Sequence, residues 1–253
     1  MIRLPLSPGD LIMSKPIQAR NLDRPLVLSA NPAGVGAIDV ENPEKPLAVL
    51  VGPLNLKPGD RIDLYWGNVV EPTVSYEHPL DAPPDNGFAA LSVDTRSLES
   101  AKDPLPVRYS FTPFPGGTAE ESEITYVRVK LESPGGVDID PATPYENEAL
   151  HPPRVQPPGV IVNPLGVSVI IAPYPHMSEG DRISVAWDQQ SINHPALTTA
   201  DLELEVVIPI PPPIIEAAGN ASALPVRYEI RDVVGNWSKR SPATEVVVSL
   251  VAH

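Results

Sequence analysis

The chain repeats itself at the scale of a domain. Gly59-Asp60-Arg61-Ile62-Asp63-Leu64-Tyr65-Trp66 returns as Gly180-Asp181-Arg182-Ile183-Ser184-Val185-Ala186-Trp187, 121 positions later. Leu105-Pro106-Val107-Arg108-Tyr109 returns as Leu224-Pro225-Val226-Arg227-Tyr228, at an offset of 119. Asn42-Pro43 matches Asn163-Pro164, and Val127, Val129 and Leu131 match Val246, Val248 and Leu250. The period is far longer than the roughly 20–50 residues of a solenoid repeat. It fits a whole small domain, so the 253 residues are predicted to hold two tandem copies of one fold, copy one over 26–132 and copy two over 153–253. The intervening 133–152 carries Asp138, Asp140, Glu146 and Glu148 and no Lys or Arg, broken by Pro-Gly-Gly, Asp-Pro and Thr-Pro steps. That composition predicts an extended, semi-rigid, acidic, proline-rich linker. Residues 1–25 lie outside the repeat, carry net positive charge, and read as an N-terminal arm or an added edge strand.

Proline restricts what each copy can be. There are 34, about 13% of the chain, against a usual ~5%. Interior proline costs a helix about 3 kcal/mol, so a helix-rich fold is nearly excluded. The apolar residues instead alternate with period two. Ile62, Leu64 and Trp66 share one face of 61–66, as Ile183, Val185 and Trp187 do in copy two. Leu105, Val107, Tyr109 and Phe111 alternate with Pro106, Arg108 and Ser110; Leu224, Val226, Tyr228 and Ile230 repeat the pattern. Further strands are expected at 47–51 and 167–172, 88–93 and 202–208, 127–131 and 246–250. Ile208-Pro-Ile-Pro-Pro-Pro-Ile214 reads as a connection crossing between sheets. Short strands split by Pro/Gly turns predict an all-β chain of two tandem immunoglobulin-like β-sandwich domains. The Trp of the 61–66 and 182–187 strands then belongs to the core, and Arg108 and Arg227 face outward, where Arg108 is expected to pair with Asp63.

Copy two carries the pattern Ile171, Tyr174, Met177, Gly180, Asp181, Ile183, Val185, Trp187, and later Val226, Tyr228, Ile230, Asp232, Gly235, Asn236, Ser238, Ser241. Both runs resemble Ig-like tandem repeats of proteobacterial (pseudomonad-type) adhesin/invasin-like surface or secreted proteins. Copy one departs from the pattern, with Gly52-Pro53 in place of Pro173-Tyr174 and Pro113-Phe114-Pro115-Gly116-Gly117 in place of the Asp232–Asn236 turn. The resemblance implies a stalk or binding module.

Charge and motifs narrow the function. The net charge of -14 lacks the basic footprint of a nucleic-acid binder. With no cysteine, disulfide, thiolate and cysteine–zinc chemistry are excluded. The first residues lack the roughly 7–15-residue apolar run of a secretory signal, and no stretch approaches the ~20 apolar residues of a membrane span. The sequence therefore predicts no Sec signal and no membrane insertion, with a cytoplasmic place or export by a non-Sec route. Gly-x-Ser-x-Gly, P-loop and His-Glu-x-x-His motifs are lacking, so no catalytic residue is assigned.

Three residues stand out as ligand contacts: Tyr174 and His176 in the loop before the Gly-Asp turn, and Trp237 after Gly235-Asn236. Loops carry function more often than strands do, and an exposed aromatic side chain anchors partners well. An ordinary loop histidine, and a Trp packed under the final hairpin, are the simpler accounts of His176 and Trp237. Asp138 and Asp140 form the best metal candidate, for Ca2+ stiffening the linker; a solvated acidic linker is the plainer one. The expected function is a non-catalytic interaction or adhesion-type module that binds a protein or glycan through sandwich-end loops, including 173–179 and 232–240. The alternatives are a structural spacer or accessory subunit of a secreted or phage-like assembly, and a hydrolase with a site at the domain junction.

Overall fold

The computed structural model describes residues 22–250 apart from 43 and 141; the N-terminal arm through residue 21 lies outside them. The chain is built almost wholly from β-strands in antiparallel sheets, an immunoglobulin-like arrangement. In copy one, Leu47–Leu56 lies between Leu26–Leu28 and Asp85–Val93 in a three-stranded sheet. A second sheet runs Val74–Glu77, Arg61–Trp66, Leu105–Thr112, with the short strands Glu120–Glu121 and Thr125–Val127 sharing the far side of Leu105–Thr112.

Copy two reproduces this plan. Ser168–Ile171 lies between Arg154–Gln156 and Val206–Pro209. Its other sheet runs Gln190–Asn193, Arg182–Trp187, Ala221–Arg231, Thr244–Val248, with Trp237–Arg240 also on Ala221–Arg231. The strand Val160–Ile161 joins Thr244–Val248 in parallel.

The registers of the two segments correspond. Ile62 faces Phe111, Leu64 faces Tyr109 and Trp66 faces Val107; Ile183 faces Ile230, Val185 faces Tyr228 and Trp187 faces Val226. The period-two alternation turns these side chains inward onto the three-stranded sheet. In copy one, Val49, Val51, Leu91, Ile62, Leu64, Val107 and Tyr109 form one core. In copy two, Val169, Ile171, Ile208, Ile183, Val185, Trp187, Val226 and Tyr228 form another. Fully burying a side chain of this size stabilises by about 1.5–3 kcal/mol. The core role read for the twin tryptophans holds: Trp187 is fully buried and Trp66 nearly so.

Three local expectations change. Pro212–Ala218 is a short α-helix inside the segment read as a sheet-crossing connection. Proline is tolerated there because it occupies the first helical turn, where its missing N–H has no intrahelical acceptor; Ile215 is fully buried and anchors the helix. Second, Arg108 does not pair with Asp63. Arg61 takes that carboxylate at 2.9 Å, while Arg108 reaches Glu121 at 3.3 Å and lies 4.0 Å over the Tyr65 ring.

Third, 133–152 is a strap folded on copy two and not an extended linker. Asn147 donates its backbone N–H to the Arg240 carbonyl at 2.8 Å and its side-chain amide to the Ser238 carbonyl at 3.2 Å. Leu150 is buried in the copy-two core. The segment is polar and turn-rich, and Leu150 and Asn147, together with the ion pairs Asp138–Lys239 and Glu146–Arg227, hold it down.

Candidate functional site

The loops singled out in copy two, 173–179 and 232–240, meet copy one. The turn Asp232–Asn236 is self-bonded: Asp232 Oδ1 accepts from the N–H groups of Val234 (3.0 Å) and Asn236 (2.8 Å). This is an Asx-type turn, in which a carboxylate satisfies backbone donors that no strand can reach. Gly235 takes φ +88 in it, a left-handed conformation that glycine adopts without steric cost. The Asp232 Oδ2 atom accepts from Asn236 Nδ2 at 2.8 Å.

Copy one supplies the other half. The Asn236 amide reaches across it, donating to the Lys130 carbonyl at 2.7 Å and accepting from the Ala37 N–H at 2.7 Å. The Lys130 ammonium stands 3.4 Å from Asp232 and 3.5 Å from Asp181, and it hydrogen-bonds Ser178 Oγ. Ser178 Oγ in turn donates to Asp181 Oδ1 at 3.0 Å, and its backbone N–H donates to Asp181 Oδ2 at 3.0 Å. Neither carboxylate side chain has any solvent exposure, and Lys130 retains 18%. Taking such charges out of water costs several kcal/mol per ion unless partners meet them; here each carboxylate keeps polar donors besides the ammonium. The copies touch closely. A methyl group at Gly235 would lie 2.1 Å from Asn31 Nδ2, and one at Gly34 would lie 2.8 Å from Val234 Cγ1.

Of the three predicted contact residues, Tyr174 belongs to this buried network. It is 6% exposed and donates its hydroxyl to Asp181 Oδ2 at 2.9 Å. Burial, then the neighbouring Asp181 charge, pushes its phenol far above the ordinary range. The side chain has no face free for a ligand. The Tyr-x-x-x-x-x-x-Asp spacing that made the loop recognisable is therefore the mark of a structural bond.

His176 and Trp237 do come together. They line one open groove of about 350 Å³, with Leu131 and Glu132 from the end of copy one and Ser133 and Val137 from the strap. His176 is exposed, with φ 59. Trp237 is half-buried, its ring 5.5 Å from the Arg231 guanidinium, within cation–π range. Its indole nitrogen is enclosed and has no hydrogen-bond partner. Glu132 borders the groove. The Ser100 hydroxyl holds its carboxyl below the usual range, and the His176 charge acts in the same direction.

Sequence reasoning missed Lys130, Asp181 and Asp232. The signal available was the break in the repeat, with Lys130 matched by Ser249 and the Asp232–Asn236 turn matched by Pro113–Gly117.

The acids proposed for Ca2+ have other partners. Asp138 accepts from the Lys239 ammonium at 2.6 Å, which lowers its pKa, and from the Asp140 N–H at 3.0 Å. Asp140 turns to the Ala142 N–H at 3.1 Å. Glu146 pairs with Arg227, and Glu148 accepts from Thr143. Ca2+ needs six to eight converging oxygens; Asp138 and Glu148 lie near one another, while Asp140 and Glu146 turn to other partners. Among the described residues no group of three or more His, Asp or Glu gathers as a metal cluster. No described helix is long and apolar enough to cross a membrane.

No protein-family model matches the chain, and the curated proteins give no match. Among solved structures, the chain is similar to the human OSCAR ligand-binding domain, at 12% identity and TM-score 0.34, covering 89% of this chain and 99% of that one. It is also similar to a structure bearing on host cell surface retention of a 1.5-MDa bacterial ice-binding adhesin, at 16% identity and TM-score 0.36, covering 90% and 66%. A third is the adhesin domain of Epf from Streptococcus pyogenes, at 13% identity and TM-score 0.25, covering 82% and 74%. With TM-scores this low, none of these likenesses carries function to this chain.

Proposed function

We propose that the chain is a non-catalytic, adhesion-type binding module that takes a protein or glycan in the groove between its copies. The observation that carries this reading is the meeting of Trp237 and His176 in a groove built from both copies and the strap. A half-exposed indole gives a flat apolar face for a sugar ring or an aromatic side chain, and Glu132, Asp138 and Lys239 at the groove edge offer polar contacts for orientation. Glycan-array binding and crosslinked capture from the native source would identify the ligand. Trp237→Ala and His176→Ala are each expected to weaken capture while circular dichroism and melting stay near wild type. Undiminished capture by Trp237→Ala removes the groove from the function.

A structural spacer is the second reading, favoured by the strap. Its hydrogen bonds and Leu150 fasten the segment between the copies to copy two, as a load-bearing connector requires. A spacer would capture nothing in the same assay.

A further inference from the structure

The joint between the copies depends on residues that the repeat does not share. Lys130 of copy one corresponds, at the offset of 119, to Ser249 in copy two. Asp232 and Asn236 of copy two correspond to Pro113 and Gly117 in copy one. The Gly-Asp turn is common to both, yet Asp60 binds only its own copy, accepting from the N–H groups of Lys57 and Phe114, each at 2.8 Å. Lys130, Asp232 and Asn236 are thus each present only in the copy where the contact needs them, while Asp181 is a shared turn residue that the joint also uses.

We infer that Lys130 is a cationic key and Asp181–Asp232–Asn236 its lock, a directional device that fixes the orientation of copy one on copy two without a metal ion. The ammonium supplies the charge that two desolvated carboxylates require. A buried carboxylate pair strongly disfavours any orientation that withdraws the cation, because unpaired buried charge is costly. The Asn236 amide adds register, since it bonds Ala37 N–H and the Lys130 carbonyl at once. Gly34 and Gly235 let the two backbones approach closely enough for these bonds to form. Copy one has no such lock and copy two no such key, so the contact is used once per chain and cannot propagate head-to-tail through these residues. The inference does not depend on the groove holding a ligand.

The chain has no cysteine, so a pair of spin labels can be placed without background. Ser92→Cys and Glu245→Cys put labels on exposed strand positions of copy one and copy two. Pulsed electron–electron resonance on the full chain is expected to give one narrow distance distribution. Lys130→Met and Asp232→Asn, each in the labelled background, are expected to broaden it, while Lys130→Arg, which keeps the charge, is expected to leave it narrow. Circular dichroism verifies that each variant stays folded. A broad distribution in the unmutated joint overturns the inference. So do an unchanged distribution in both neutralising variants and equal broadening by Lys130→Arg and Lys130→Met.

Discussion

The twin Gly-Asp turns allow one residue type to be tested in two environments. Asp60 and Asp181 follow equivalent glycines, and both are almost wholly buried. Asp60 accepts two backbone N–H bonds. Asp181 accepts the Tyr174 hydroxyl, the Ser178 N–H and the Ser178 hydroxyl, and it faces the Lys130 ammonium at 3.5 Å. Replacing Asp60 by Ala leaves backbone donors that water can partly reach at a loop, at a cost of about 1–3 kcal/mol. Replacing Asp181 by Ala orphans the buried Tyr174 hydroxyl and removes one of the two counter-charges of Lys130. Asp232 still faces Lys130 after that change, so the added cost comes from the orphaned buried hydroxyl, about 1–3 kcal/mol, and Asp181→Ala is expected to be the costlier by roughly 2 kcal/mol. Urea unfolding followed by tryptophan fluorescence measures both, since Trp66 lies in copy one and Trp187 and Trp237 in copy two. Two-domain chains need not unfold in one step, so the transition containing the mutated copy is compared. Equal losses, or a larger loss for Asp60→Ala, would refute the claim that the buried Tyr174–Asp181 contact makes the second turn different.

Two further outcomes follow from burial. Leu150→Ala is expected to cost about 2–5 kcal/mol, the usual range for a core leucine, and to open 133–152 to limited proteolysis; a strap that stays protected and a chain that loses nothing would return the segment to being a free linker. Burial raises the phenols of both Tyr174 and Tyr228. An unfolded chain releases those protons near pH 10 while the folded chain holds them, so their contribution is intact below that pH and stability falls as pH rises above it. In an ultraviolet titration of the seven tyrosines, Tyr174→Phe and Tyr228→Phe are expected to remove only late-titrating signal, and loss of early signal would contradict the burial.

The strands were readable because alternation and turn chemistry are local. Ile62, Leu64 and Trp66 declare an inward face by spacing alone, and the structure keeps it. The repeat doubled that signal by showing the pattern twice. Features set by a few distant contacts were not readable. The helix Pro212–Ala218 hides in a run whose prolines argue against helix in general, though one of them sits at the position a helix tolerates. The strap hides because nothing in an acidic, turn-rich segment says that Leu150 inserts into the copy-two core, whose strands all follow it in the chain.

The candidate site divides in the same way. Tyr174 stood out as an aromatic residue in a loop, but an aromatic in a loop is informative only when its hydroxyl has no partner inside the fold, and Asp181 is seven residues away. Trp237 and His176 lie sixty-one positions apart, and only the tertiary fold brings them to one groove. Lys130 was silent because lysine at a strand end ordinarily points to water. Yet the difference between the copies did carry the information. A lysine present only in copy one and an Asp-x-x-x-Asn turn present only in copy two break the repeat at the two faces that must meet. In a duplicated chain the matching residues specify the fold that both halves share. The contact between the halves has to draw its distinguishing residues, here Lys130, Asp232 and Asn236, from positions that do not match, because the two halves present different ends to each other.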